Sequence, residues 1–288
     1  MPGPQAPRRR FVVPGWMRKY TPILGRTLEQ LTAVNVLDCA TRMAAQAFLG
    51  AIPAIFVIGA VAPDWVQQQL ISTISTTLGL TDPALDEVRE VYDAGSATAV
   101  ASTGAVGVVV TLLSATACSR ALQKTCERSW HLPKAGARLT AWRWVAWLAV
   151  WLAALIFQGP IQDAFGVGRA LGAVIALVSG TLLWWWTQHL LLGARVPWLP
   201  LLPGATLVAV GAQAVTWGSR YYVPRAVDHS LEQFGGLGLV FVLLSWLIGF
   251  FIVVTVGIAV GYVLVHEPLP ARWLGTPADA PEGTDTRR

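Results

Sequence analysis

Asp38, Arg42 and Gln46 recur at intervals of four, which sets an acid, a base and an amide on one helix face. Where the surrounding residues are apolar enough to enter a bilayer, an ionisable side chain is a functional candidate by default. The trio is expected to face the bundle interior, because a lipid-facing charged turn is expensive, and two readings stay open for it. It lines a polar path for a headgroup or an ion, or it anchors a helix end where Asp38 neutralises Arg42 and the guanidinium snorkels to the surface. Amides continue the theme: Gln158, with Gln162 and Asp163 a turn beyond, closes one apolar run, Gln188 and His189 close another, and Gln213 lies deeper in a third. Interhelical hydrogen bonding explains such amides most simply, and a polar cavity requires several to converge. Enzyme chemistry has less to draw on. His131, His189, His229 and His266 are scattered, and Cys39, Cys118 and Cys126 form no C-x-x-C pair. With no phosphate loop, nucleophile–base pair or carboxylate cluster, the expectation is a protein that is not an enzyme and holds no metal or cofactor.

The elements that position these residues follow from hydropathy. The chain has 288 residues, 54 % hydrophobic and 13 % charged, with a mean hydropathy of +0.53. That balance excludes an ordinary soluble domain. The expected fold is all-α, a polytopic bundle of about six transmembrane helices with amphipathic interfacial helices. Spans are predicted at 39–62, 98–118, 144–159, 170–192, 201–221 and 237–265, forming one domain over 39–265. Residues 1–38 read as a basic arm followed by an amphipathic juxtamembrane helix, and no cleavable signal peptide is expected. Segment 63–96 reads as two short amphipathic helices on the bundle or the membrane surface, 119–143 as a basic loop, 224–233 as a polar connection, and 266–288 as a disordered tail.

Placing both termini in the cytoplasm puts 17 of the 21 Lys and Arg residues inside, leaving Arg89, Arg169, Arg220 and Arg225 outside. The pI of about 9.4 then reflects topology and not nucleic-acid binding. Arg120, Lys124, Arg128, Lys134, Arg138 and Arg143 gather anionic lipid at the cytoplasmic face or simply fix that topology, and the two are compatible. Gly104 and Gly107, with Gly257 and Gly261 at G-x-x-x-G spacing, are expected to pack helices closely, within the bundle or between copies. Trp144, Trp147 and Trp151 form a stripe, and Trp184 to Trp186 a cluster suited to an aromatic belt.

Three stretches resemble the YihY/BrkB-type family of bacterial inner-membrane envelope proteins over roughly residues 25–266. They are Ala40 to Phe48 with Pro53 beyond it; Arg120-Ala121-Leu122-Gln123 with Trp130 and Pro133; and Leu202-Pro203-Gly204-Ala205 followed by Gly235 to Gly238 and Ser245-Trp246-Leu247. The resemblance implies a six-helix inner-membrane protein connected with envelope integrity; with the polar residues of the first span and the basic inner rim, it makes transport or assisted translocation of lipids or lipid-linked envelope precursors the leading expectation. A scaffold that docks an envelope protein through residues 66–92, or a small-solute or ion transporter, are the alternatives. Membrane lipids are the expected partners, with an envelope protein or a second copy besides. Labelling of cysteines placed at Ser96 and Gly283 in intact cells and in inverted vesicles should place them on opposite sides; same-side labelling contradicts this topology.

Overall fold

The computed structural model describes residues 22–61, 63–78, 104–133, 141–164 and 169–266, and among these every element is a helix. In chain order they are α1 (Pro22–Val34), α2 (Val36–Val61), α3 (Asp64–Leu78), α4 (Gly104–Ser129), α5 (Ala141–Ala164), α6 (Arg169–Leu191), α7 (Trp198–Phe234) and α8 (Gly236–His266). Their ends have local causes. Asn35, at φ 58°, separates α1 from α2, and its short polar side chain tolerates the left-handed region. Helix α4 ends where His131 N–H returns to the Arg128 carbonyl and Leu132 N–H to that of Glu127, and α6 ends the same way through Gly193 and Ala194.

The antiparallel pair of α7 and α8 is the spine. Gly204 meets Gly261, Val208 meets Gly257 and Gly211 meets Val253, so glycine alternates between the helices and lets the backbones touch. A Cβ at Gly257 would stand 2.6 Å from Cγ2 of Val208. Helices α1 and α2 pack on α8, α6 packs on α7, and α4 lies mainly against α2, with α5 as a further neighbour. The core gathers where these meet, around Ala40 and Met43 of α2, Leu122 and Cys126 of α4, Leu201 of α7 and Ile258 of α8.

Three helices are long and apolar enough to cross a membrane among the described residues: Gly172–Leu191, Trp198–Phe234 and Leu237–His266, of 20, 37 and 30 residues. The predicted spans at 39–62, 98–118 and 144–159 fall on or largely on α2, α4 and α5.

Two expected connections prove helical. The stretch 224–233 is the end of α7, because Val223 and Val227 find an apolar partner in Val242 of α8 and hold the helix together past Pro224. The start of the basic loop is the end of α4. Ser119, Gln123, Glu127 and Ser129 turn inwards while Arg120, Lys124 and Arg128 stay outside, an amphipathic pattern that continues the helix. Helix α3 turns Val66 and Leu70 inwards and packs on α5 and α7, so that apolar face is covered by the bundle itself. The second expected external helix, near Asp82, lies outside the described residues.

Replacing Gly261 with Val should cost about 1–3 kcal/mol through overpacking. Gly249→Val, where nothing lies within 4 Å, should change stability by less than about 0.5 kcal/mol. Thermal unfolding of both variants in one detergent checks the contrast.

Candidate functional site

A polar clasp joins the ends of α4 and α6 to the start of α5. Glu127 sits at the last turn of α4 with its side chain only 6 % exposed, and it receives Arg195 Nη2 at 2.5 Å from the turn that follows α6. Gln123, one turn earlier, donates Nε2 to the same Glu127 oxygen at 3.0 Å and accepts the Trp144 indole N–H of α5 at 2.7 Å. Arg195 also donates to two backbone carbonyls, from Nη1 to Pro133 at 2.6 Å and from Nε to Leu192 at 2.7 Å. Its cationic fork thus satisfies two chain turns that have run out of helix partners. Two further bonds tie α1 to the same end: Gln30 Nε2 donates to the Ser129 carbonyl at 2.8 Å, and Arg128 Nη1 to that of Val34 at 3.1 Å. Beside the clasp, burial first and the Glu127 charge second push the Cys126 thiol up to about 12.

The candidates from sequence separate into an inner and an outer set. Gln188, 1 % exposed, is the inner one: its amide lies against Gly204, and neither Oε1 nor Nε2 has a partner among the described residues. Next to it, His189 stacks on Trp198 with ring centroids 3.9 Å apart. Asp38 and Arg42 belong to the outer set, contrary to the expectation that their face lines the bundle interior. They pair at 2.9 Å with side chains 37 % and 71 % exposed. Ala40, Met43 and Ala44 take the inward face of α2, and near a helix end the pair reaches solvent at little cost. Gln46 lies between, half-buried, with its Oε1 unpartnered among the described residues. Gln213 lines an open groove of about 300 Å³ between α6 and α7 with Val174, Leu177, Val210 and Trp217, away from Gln188 on the other face of α7. Among the described residues, the polar candidates therefore do not converge on one cavity.

The basic residues divide likewise. Arg120, Lys124 and Arg128 form an exposed stripe on α4, Arg120 lying over the Trp144 ring at 5.5 Å. Arg143 is turned aside, packed against Gly193 in the turn after α6 and over Trp142 at 5.7 Å. Lys134 and Arg138 lie outside the described residues, as do the surroundings of Gly104, Gly107 and Gln158. Gly257 and Gly261 stand at the α7–α8 contact. Sequence reading missed Glu127 and Arg195. The available signal was that Glu127 is the one acidic residue between Asp93 and Asp163, set among cations.

A chain whose described elements are all helices, three of them long and apolar enough to cross a membrane, has the make-up of a membrane protein. Comparison with known families agrees. The family described as Virulence factor BrkB matches residues 27–277, and the chain belongs to that family. Neither the curated proteins nor the solved structures compared with it give a match.

Glu127→Ala and Arg195→Ala should each lower stability by about 3 kcal/mol, the lower end for a broken buried pair because Arg195 is partly exposed. The double variant should lose clearly less than their sum, and chemical denaturation in detergent measures the coupling. With its thiol pushed up to about 12, Cys126 should resist maleimide at pH 8 in the folded protein and react once unfolded.

Proposed function

We propose that this chain is a multi-pass inner-membrane protein of the bacterial envelope, with six spans and both termini cytoplasmic, that moves or helps to move lipids or lipid-linked envelope precursors between leaflets. The observation that carries the reading is the cation stripe Arg120, Lys124 and Arg128, whose members repeat every four residues on the exposed face of α4. Their spacing of about 6 Å suits successive anionic oxygens of headgroups, and each charge near an anionic surface contributes about 1 kcal/mol. The exposed Asp38–Arg42 pair lies on α2, the principal neighbour of α4, and adds to the polar surface of that side. A headgroup route over the exterior of the bundle fits the outward placement of these groups. Acyl chains stay in the bilayer throughout, and the apolar groove between α6 and α7 offers them a place along the protein. The uneven distribution of Lys and Arg supports the orientation.

The scaffold reading keeps one observation in its favour: Trp65 of α3 is exposed although the apolar face of that helix is covered. Native mass spectrometry of protein taken directly from its membrane separates the two. The transport reading expects a retained anionic lipid that is lost in the Arg120→Gln, Lys124→Gln double variant. A retained polypeptide without lipid, or lipid retention indifferent to the double substitution, overturns it.

A further inference from the structure

The α7–α8 pair carries its own marker of where the hydrocarbon ends. Trp217, Tyr221 and Tyr222 are exposed on α7, and Trp and Tyr concentrate at the membrane–water boundary. The pairing that sets Gly204 against Gly261 and Val208 against Gly257 brings Trp246 of α8 to the same level. Both helices continue past this belt. Helix α7 runs on from Tyr222 to Phe234, about 20 Å at 1.5 Å per residue, and α8 returns from Gly236 beside it. Gly238 lies close enough to Ser230 that a Cβ there would meet its backbone, so the two stay in contact to the tip.

The two extensions have opposite characters. That of α7 turns Val223 and Val227 towards α8 and leaves Arg225, Asp228, His229 and Glu232 exposed. That of α8 contains no charged residue, and its outer edge consists of Leu237, Val240 and Phe241, the first 66 % exposed. Phe234 closes over Phe241 with ring centroids 6.3 Å apart. The hairpin is therefore amphipathic as a pair, polar along one helix and apolar along the other. Standing upright, it would hold that apolar edge in water. The 31 residues of α8 measure about 46 Å, more than a core of about 30 Å accommodates at a tilt of about 20°. Leu237, Phe241, Ser245 and Gly249 repeat every four residues and all are exposed, so the edge continues into the surface that the span turns to lipid.

We infer that the end of the α7–α8 hairpin is an interfacial paddle. It leans so that Phe234, Leu237, Val240 and Phe241 enter the acyl chains of the adjacent leaflet while Arg225, Asp228, His229 and Glu232 face water. Its partner is the protein's own bilayer. The inference rests on the chain being a membrane protein and is independent of whether it carries lipid.

Spin labels on cysteines at Leu237, Phe241, Asp228 and Glu232, in a background with Cys39, Cys118 and Cys126 changed to Ala and reconstituted in phospholipid vesicles, test it. Collision with dissolved oxygen should exceed collision with a water-soluble nickel chelate at Leu237 and Phe241, and the order should reverse at Asp228 and Glu232. Preference for the chelate at all four positions overturns the paddle. Protection of Leu237 and Phe241 from both reagents, with disulfides between copies through the same cysteines, overturns it in favour of a homodimer contact.

Discussion

Everything in this structure depends on the backbone contact between α7 and α8. In lipid, apolar surface alone draws no helix to another, because the acyl chains are as apolar as the side chains they replace. Association must come from shape, and here glycine supplies it from both partners: Gly204 and Gly211 on one helix, Gly257 and Gly261 on the other. The contact fixes register as well as distance. From it follow the level of the aromatic belt, the pairing of Val223 and Val227 with Val242, and the surfaces on which α2 and α6 pack.

The second constraint is polar and sits at one end of the bundle. Two non-glycine residues, His131 at φ 52° and Ala194 at φ 57°, hold left-handed conformations in the turns after α4 and α6. Such positions cost roughly 1–2 kcal/mol each. Glu127 and Arg195 bridge those two turns, and the guanidinium also bonds carbonyls in both. This network acts as a clasp. Gln188 differs, since its amide lies at the glycine contact with neither end bonded among the described residues.

Sequence patterns carried the class of fold well, because spanning helices need long apolar runs and α6, α7 and α8 have them. Patterns failed where helices outlast their apolar stretch. Residues 224–233 look like a loop from their charges, and only the partner helix beside them explains why α7 runs to Phe234. The trio at Asp38 was read correctly as one helix face, and Asp38 pairs with Arg42. Which way that face points depends on the competing claim of Ala40 and Met43 to the interior, which no spacing rule within the trio reveals. Glu127 and Arg195 are 68 residues apart, and nothing local to either announces the other.

The most direct test of the central claim is disulfide trapping across the α7–α8 contact in native membranes, in a chain whose own cysteines are replaced by Ala. Cysteines at Gly211 and Val253 should cross-link rapidly, because a Cβ at Gly211 lies 3.8 Å from the Val253 Cβ, the usual separation in a disulfide. The pair shifted by one turn, at Val208 and Val253, should cross-link far more slowly. Equal rates for the two pairs, or faster trapping of the shifted one, would contradict the register on which the rest of the structure is built.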